Sequence, residues 1–330
     1  MESYCCTYDD IKSAIEDIRP FIHRTPLMTC TALDNLAGTK LYLKTENFQK
    51  TGSFKFRGAT NAAIKLQKSS KKPECVVTES SGNHGQAMAK AAQNLGLPCH
   101  VVMPAWSVES KVEAIKGYGA TVYKVDATQP TREKKVRELV EKYNGAFINP
   151  SQDPYIIAGQ GTTAVEILED MPDIDVIVAP VGGGGLVSGV AIAAKSINPS
   201  IKVIAAEPEE ANDCYISKIK GELTPNPKDP DTVADGVRVN VGPNAWPIIR
   251  DLVDDVITVS ESDIISAMLT VWERAKLVIE PTTGVGMGAV FSDKFKEIKA
   301  NKVAVILCGG NVDLNALPDL IARRRNVKAE

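Results

Sequence analysis

Apolar, β-branched runs alternate with helix-like segments along most of the chain from Cys75 onward. Each run has the length of a buried strand, and the segments between runs have the length and periodicity of a helix. Strands separated by helices pair in parallel, because a parallel pair needs a long crossover connection. The alternation occurs in two sets, before and after residue 153. We therefore expect an α/β fold with two parallel sheets.

The segment before this alternation opens with a helix-start signal. Thr7 is followed three residues later by Asp10, as in a capping box, and an apolar face begins at Ile11. Pro20 marks the end of the helix. A proline-rich stretch, Gly221–Pro247, interrupts the second set of strands and helices, and we expect it to wrap the surface or rim a site.

The composition is that of an ordinary globular protein. The 330 residues are 44% hydrophobic and 24% charged, with a formal net charge of −3 and no charge blocks. This balance argues against nucleic-acid and membrane partners. The amino terminus lacks the features of a signal peptide, no run approaches a membrane span, and the seven cysteines form no CxxC pair. We expect reduced thiols and a cytoplasmic location.

The most informative loop holds four consecutive glycines, Gly182–Gly185, between a buried strand and an apolar helix. Glycines allow close approach of the backbone to an anion, and the helix amino terminus offers free N–H groups. The loop lacks the Lys and Ser/Thr of a nucleotide-triphosphate loop. It therefore favours the phosphate of a cofactor, with a simple tight turn as the alternative.

A second loop between a strand and a helix carries Ser80, Ser81, Asn83 and His84. Its hydroxyls, its amide and the N–H groups of the helix start suit a substrate carboxylate. The same residues also suit a well-capped helix. A histidine in such a turn is more often structural than catalytic.

Lys55 lies between two phenylalanines at the start of a helix. Apolar neighbours favour the neutral amine that forms an imine, although most lysines are simply surface charges. A competing motif, Gly284–Ala289, fits the GxGxxA pattern of dinucleotide sites. No acidic residue follows it at the required distance, so we interpret it as close helix packing.

Four motifs occur in the order SFKFRG, SSGNHG, GGGGL and LCGGN. Together they resemble the fold type II family of pyridoxal-phosphate (PLP) enzymes, with the tryptophan synthase β-like architecture and the serine and threonine dehydratases among its members. The likeness extends from Ile22 to Leu314. It implies a homodimer, with PLP in the cleft between a large domain (1–74 and 153–330) and a small mobile domain (75–152).

The resemblance assigns roles to the motif residues. Lys55 holds PLP as a Schiff base and acts as a base on one face of the α-carbon, and Ser81 is the base on the other face. Two opposed bases are what racemisation requires. The implied activity is interconversion of L- and D-serine, with elimination of serine to pyruvate and ammonia. Gly182–Gly185 and Leu186 bind the phosphate, Asn83 contacts the ring hydroxyl, and Cys308 faces the pyridine nitrogen.

The resemblance also implies two further ligands. A divalent cation, Mg²⁺ or alternatively Ca²⁺ or Mn²⁺, is bound by the carboxylates of Glu207 and Asp213 and by the carbonyl of Ala211; oxygen ligands suit Mg²⁺ or Ca²⁺. ATP acts as an activator at a subunit interface. The residues that match the ATP site are Lys50, Thr51, Gln86, Tyr118, Lys276 and Asn311, while Cys30, Thr31 and Ala32 replace its serine-containing segment.

Two departures from the family pattern concern the substrate. Ser151 stands near the cofactor where relatives often have asparagine, and Val239 stands where a hydroxyl residue is common. Arg132 matches an arginine that helps to close the small domain, and Arg238 is a candidate partner for an acidic side chain. Alternatives therefore remain: an L-threonine or L-serine dehydratase, an aspartate racemase, a threo-3-hydroxyaspartate dehydratase, or a nucleotide-binding regulatory module without catalysis.

Overall fold

The computed structural model describes residues 4–80, 82–107, 109–126 and 128–327. These residues form two β-sheets with helices packed against them. The α-helices are α1 Tyr8–Ile18, α2 Thr31–Ala37, α3 Lys55–Lys68, α4 Asn83–Asn94, α5 Glu109–Gly117, α6 Gln129–Tyr143, α7 Pro154–Asp170, α8 Gly185–Ile197, α9 Asp213–Lys220, α10 Trp246–Leu252, α11 Glu261–Ala275, α12 Pro281–Phe291, α13 Asp293–Lys296 and α14 Leu317–Val327. The strands are β1 Leu27–Met28, β2 Lys40–Lys44, β3 Val76–Glu79, β4 Cys99–Pro104, β5 Thr121–Val125, β6 Ala146–Phe147, β7 Val176–Pro180, β8 Lys202–Pro208, β9 Asp255–Val259 and β10 Lys302–Ile306. Short 3-10 helices span Glu46–Phe48, Lys50–Gly52, Glu209–Ala211, Asp235–Val237 and Leu314–Ala316.

Both sheets are parallel apart from one edge strand. The larger sheet has the order β1-β2-β10-β7-β8-β9, and only β1 runs antiparallel to its neighbour. The smaller sheet has the order β5-β4-β3-β6 with every pair parallel. The expected α/β fold with two parallel sheets is therefore confirmed. The strands of the smaller sheet fall within residues 75–152. The exact domain boundaries and the mobility of the small domain stay predictions.

Successive side chains of the central strands enter two separate hydrophobic cores. In β7, Ile177 and Ala179 face the core formed with α1, α7, α8 and α10, whereas Val176 and Val178 face the core formed with α2, α11 and α12. This is the burial expected for a parallel sheet that is covered on both faces. Each fully buried Ile or Val contributes roughly 1.5–3 kcal/mol, so the two cores hold the strand ends in fixed positions.

Two local predictions are confirmed. At α1, Asp10 N donates to Thr7 Oγ1 and Thr7 N donates to the Asp10 carboxylate, which completes the capping box. The GxGxxA motif lies inside α12, where a Cβ on Gly284 would come within 2.5 Å of the Ile264 carbonyl oxygen. The glycine therefore permits close packing of α12 on α11, as interpreted from the sequence.

None of the helices in the described ranges combines the length and the apolar character needed to cross a membrane.

Candidate active site

One cavity brings together residues from distant parts of the chain. It lies at the carboxyl end of the larger sheet, where open parallel sheets bind their ligands. The predicted residues that line it are Lys55, Ser151, Gly182–Gly185, Leu186, Val239 and Cys308. Residues that sequence reasoning did not select also line it: Phe54, Pro150, Pro180, Gly236, Val237 and Thr282.

Lys55 begins α3 and points its amine into this cavity. Its Nζ donates to the carbonyl oxygen of Pro150 over 2.9 Å and lies 5.2 Å from the centroid of the Phe54 ring. Burial lowers the pKa of Lys55 to about 8, although the nearby Cys308 thiol acts in the opposite direction. A large fraction of the amine is therefore neutral near pH 8, as an imine-forming lysine requires.

A buried ion cluster anchors the helix that carries Lys55. Arg57 is fully buried and donates to both carboxylate oxygens of Glu46 over 2.8 Å and to Glu166 over 2.7 Å. Lys44 donates to the other oxygen of Glu166 over 2.6 Å. Two cations and two carboxylates thus neutralise one another in the protein interior. The sequence analysis did not find this cluster, because its members are far apart along the chain.

The four-glycine loop leaves no room for side chains. A Cβ on Gly183 would come within 2.2 Å of Ser151 Oγ, and one on Gly185 within 2.7 Å of the Ser151 carbonyl oxygen. Gly184 has a φ of 91°, which disfavours any residue with a Cβ. The first turn of α8 then presents backbone N–H groups without intrahelical acceptors. This arrangement is an anion cradle, and it supports the cofactor-phosphate interpretation over a simple turn.

Cys308 lines the same cavity as the glycine loop, and its Sγ is 3.2 Å from Thr283 Oγ1. Burial, together with the negative charge of Glu280, raises the pKa of the Cys308 thiol far above its ordinary value. The thiol therefore stays uncharged. It fits a neutral partner for an unprotonated pyridine nitrogen, as the family resemblance implies.

Asn83 is held by a carboxylate that sequence reasoning missed. Its Nδ2 donates to Glu280 Oε1 over 2.7 Å, and its Oδ1 accepts from Asn311 Nδ2 over 2.9 Å. Glu280 is 3% exposed, and burial, with the charge of Asp235, raises its pKa to about 7. A glutamate directly before Pro281 suggests only a helix start, so no sequence signal pointed to this role.

The SSGNHG loop is described only in part. Ser81 lies outside the described residues, and its role stays a prediction. Ser80 Oγ accepts a hydrogen bond from Gly82 N over 3.1 Å. Both ring nitrogens of His84 are buried without a partner, and burial, reinforced by the charge of Lys55, lowers its pKa well below 6.5. His84 is therefore a neutral group near Lys55, and its free ring nitrogens are available to a ligand.

The two arginines predicted to bind substrate, Arg132 and Arg238, each form hydrogen bonds with a residue a few positions away in the chain. Arg132 Nη2 donates to Gln129 in the first turn of α6, and its buried Nε has no partner. Arg238 donates through Nε and Nη2 to the Thr232 carbonyl oxygen. Neither guanidinium contacts the Lys55 cavity in this structure, and their roles in substrate binding stay predictions.

The predicted metal ligands lie close together along the chain: Glu207 is in β8, Ala211 ends the 3-10 helix Glu209–Ala211, and Asp213 begins α9. Glu207 is 1% exposed and accepts from the backbone N–H groups of Tyr215 and Cys214, while Asp213 accepts from Val241 N. Burial raises the pKa of both carboxyls, that of Asp213 to about 6. The described residues contain no group of three or more His, Cys, Asp or Glu suited to a metal. The predicted Mg²⁺ ligand set has only two carboxylates, with a backbone carbonyl as its third ligand, and therefore is not a group of that kind.

The structure joins two of the residues matched to an ATP site. Asn311 Nδ2 donates to the Thr51 carbonyl oxygen over 2.8 Å, and Thr51 has a φ of 63°. Gln86 lies on α4 one turn after Asn83, and Cys30 is the residue before α2. Within the described part of the chain, neither Thr51 nor Asn311 forms a hydrogen bond with the remaining matched residues, Lys50, Tyr118, Lys276, Thr31 and Ala32, and the ATP site stays a prediction.

Comparison with known proteins agrees with this geometry. Residues 18–309 match the family described as pyridoxal-phosphate dependent enzyme. Serine racemase of Bos taurus is 48% identical over 96% of both chains. The solved structure of maize serine racemase has a TM-score of 0.93 and 42% identity, and covers 99% of this chain and 100% of its own.

A second solved structure is that of a pyridoxal 5'-phosphate-dependent aspartate racemase. Its TM-score is 0.92 at 40% identity, and the match covers 96% of this chain and 99% of that one. Relatives of this similarity and coverage share the fold. The chain therefore belongs to the family of pyridoxal-phosphate-dependent enzymes.

Proposed function

We propose that this protein is a serine racemase that interconverts L- and D-serine and also eliminates serine to pyruvate and ammonia. One observation carries the proposal: Lys55, whose lowered pKa favours the neutral amine, lines the same cavity as the four-glycine loop that can bind an anion. That pair occurs in a chain 48% identical to serine racemase of Bos taurus.

The cavity has the groups that PLP needs. Gly182–Gly185 and Leu186 would hold the phosphate, Lys55 would form the covalent link, and Cys308 would face the ring nitrogen. The orphaned ring nitrogens of His84 and the buried, unpartnered Ser53 Oγ are polar atoms that a bound group would satisfy. When bound, PLP supplies an electron sink for charge at the substrate α-carbon.

The protein residues supply the proton chemistry. Lys55, as a neutral amine, accepts the α-proton on one face, and the carbonyl of Pro150 orients its Nζ. Ser81 serves the opposite face, as the family resemblance implies. A proton returned on the face opposite to its removal inverts the centre. A proton removed with loss of the β-hydroxyl gives elimination.

Three additional features belong to the proposal. Mg²⁺ would bind Glu207, Asp213 and the Ala211 carbonyl, because two buried carboxylates near each other otherwise lack a compensating cation.

A homodimer is supported by Phe48 and Val278, which are 48% and 51% exposed. Asn47 links their segments through a bond to the Val278 carbonyl, and adjacent exposed apolar side chains favour an interface. Seven free thiols are consistent with the cytoplasm.

Aspartate racemase is the second candidate, because a solved enzyme with that activity is 40% identical. An acidic substrate needs a cation at its side chain. The candidate cation, Arg238, is bonded to Thr232 instead, and Val239 is the exposed residue that lines the cavity. The described geometry therefore favours serine over aspartate.

Chiral amino-acid analysis tests the proposal directly. The purified protein with PLP and Mg²⁺ is incubated separately with L-serine and L-aspartate, and Lys55→Ala is the control. We expect D-serine and pyruvate from L-serine, and neither from the variant. D-aspartate without D-serine would replace the proposal with the second candidate, and pyruvate without any D-enantiomer would indicate a dehydratase.

A further inference from the structure

Gln152 lies beside the glycine loop and joins three segments of the chain. Its Nε2 donates to the Gly183 carbonyl oxygen over 2.6 Å and to Ser151 Oγ over 3.1 Å. Its Oε1 accepts from the backbone N–H groups of Asn244 and Ala245 over 3.0 and 3.2 Å. A side-chain amide has two hydrogens to donate and two lone pairs that accept, so the Gln152 amide is fully used.

The partners of Gln152 fix which way its amide lies. A carbonyl oxygen only accepts and a backbone N–H group only donates, so the amide nitrogen must face Gly183 and the amide oxygen must face α10. Gly242 makes room for this arrangement, because a Cβ there would come within 2.1 Å of Gln152 Cδ. The Gly242 N–H group adds a longer bond, of 3.4 Å, to the same Gly183 oxygen.

The bond to the Gly183 carbonyl sets the direction of a neighbouring N–H group. The C=O and N–H of one trans peptide point in opposite directions, so the Gly184 N–H group points away from Gln152. Gly184 lines the Lys55 cavity, whereas Gln152 is not among the described residues that line it. We therefore expect the Gly184 N–H group to be available to an anion in the cavity.

The glycine loop has little means of fixing this peptide by itself. Glycine on both sides allows the Gly183–Gly184 peptide to rotate at little steric cost. The hydrogen bonds of α8, which begins at Gly185, do not reach the Gly183 carbonyl. Ordering such a segment during binding would cost conformational entropy, and a loop that is already ordered avoids that cost.

Gln152 also orients the Ser151 hydroxyl, which lines the same cavity. Ser151 Oγ accepts from Gln152 Nε2, and within the described residues its own hydrogen has no acceptor. A hydroxyl has one hydrogen and two lone pairs, so the hydrogen remains free for an anion. The two amide hydrogens of Gln152 thus prepare two donors, the Ser151 O–H and the Gly184 N–H.

We propose that Gln152 is a positioning residue that orders the four-glycine loop for the phosphate of PLP. It acts on the cofactor indirectly, through the Gly183–Gly184 peptide and the Ser151 hydroxyl. This inference rests on the proposed PLP site and is independent of which amino acid is the substrate. Gln152→Glu is the informative change, because a carboxylate still accepts from Asn244 and Ala245 but has no hydrogen to donate to Gly183.

The test compares wild type with Gln152→Glu, Gln152→Met and the control Gln93→Glu. Gln93 is exposed on α4, accepts from Lys90 and is not among the described residues that line the cavity, so the control adds the same charge elsewhere. Equilibrium titration measures the Kd of PLP, and the Kd of inorganic phosphate with each apoprotein. Phosphorus-31 NMR of bound PLP reports the surroundings of its phosphate, and thermal unfolding of the apoprotein reports the fold.

We expect Gln152→Glu and Gln152→Met each to raise both Kd values about tenfold, the effect of losing one hydrogen bond that orders a charged site. The phosphorus resonance of bound PLP should shift towards that of free PLP. The apoprotein Tm of Gln152→Glu should stay within about 2 °C of wild type, because Asn244 and Ala245 keep their acceptor. Gln93→Glu should match wild type in every measurement.

Wild-type affinities in Gln152→Met would overturn the proposal, because a loss confined to Gln152→Glu reflects charge repulsion alone. Weaker binding with an unshifted phosphorus resonance and a clearly lowered apoprotein Tm would assign Gln152 only to the stability of the fold. A wild type that binds neither PLP nor phosphate removes the proposed cofactor site and this proposal together. A wild type that binds PLP, and variants that bind it weakly with a shifted resonance, support the proposal whether or not D-serine forms.

Gly242→Ala provides the neutral test if Gln152→Met does not fold. The added Cβ would displace the Gln152 amide, whose Cδ lies within 2.1 Å of that position. Gly242→Ala should therefore weaken the binding of PLP and of inorganic phosphate to a similar extent. Wild-type affinity for both in this variant would contradict the role of Gln152.

Discussion

The Asn83 side chain donates its amide hydrogen to Glu280 Oε1 over 2.7 Å and so links the start of α4 to the start of α12. Asn83 is the first residue of α4, which packs beside the smaller sheet, and Glu280 directly precedes α12, which packs on the larger sheet. Because burial raises the pKa of Glu280 to about 7, its carboxyl changes charge within the neutral range. This link between α4 and α12 is therefore sensitive to pH.

Replacing Glu280 by Gln should change how stability depends on pH. The folded carboxyl has a pKa of about 7 and the ordinary value is 4.5, so the folded protein binds more protons than the unfolded chain between these values. Its contribution to stability is present below pH 4.5 and is lost as pH rises towards 7. Relative to wild type, Glu280→Gln should gain up to about 3 kcal/mol between pH 4.5 and 8. Urea unfolding across this range measures the difference, and parallel curves would contradict the assignment.

The protonation of Lys55 should control how fast the apoprotein binds PLP. Only the neutral amine attacks an aldehyde, and the pKa of Lys55 is lowered to about 8 by burial. The rate of PLP binding should therefore rise between pH 6.5 and 8 and level off above pH 9. The absorbance of the imine formed between PLP and Lys55 follows this rate. A midpoint near the ordinary lysine value of 10.5 would show that the cavity does not alter this amine.

A methyl group at Gly183 should weaken the binding of PLP. The added Cβ would meet Ser151 Oγ at 2.2 Å and force the cradle open. We expect Gly183→Ala to lower PLP affinity at least about tenfold, equivalent to about 1.4 kcal/mol. Gly117→Ala is the control, because nothing lies within 4 Å of a Cβ at Gly117. Equal PLP affinity in the two variants, measured by equilibrium titration, would argue against the cradle.

Mg²⁺ should stabilise the protein through Glu207 and Asp213. Binding only to the folded state raises the unfolding temperature, and the increase follows the logarithm of ligand concentration once that concentration exceeds the Kd. We expect Mg²⁺ to raise the Tm of wild type by a few degrees and EDTA to reverse it, with no effect on Asp213→Asn. Glu209→Gln is the control, since this exposed neighbour is outside the predicted ligand set. A response that persists in Asp213→Asn would place the cation elsewhere.

The sequence predicted the features of the fold and the site that depend on local chemistry. Lys55, the glycine loop and the start of α1 each carry their signal within a few residues. β2 was missed for a physical reason: Lys44 at its end is fully buried and pairs with Glu166, although lysine normally indicates exposure. The strand pattern was hidden by that ion pair.

The missed site residues depend on distant partners. Glu280 has an ordinary local context, and it becomes functional only because the fold places it against Asn83 and the backbone of Gly309. Such roles arise from pairings that a single sequence without aligned relatives does not reveal.

The position of β10 in the larger sheet has a consequence for the synthesis of this protein. β10 separates β2 from β7, and it pairs with β2 from Lys302 opposite Lys40 to Ile306 opposite Lys44. Roughly 260 residues must follow β2 before its neighbour exists, and at 5–20 residues per second the ribosome needs tens of seconds to supply them. During that interval the edge of β2 is unpaired, so we expect the nascent chain to depend on chaperones until its last strand arrives.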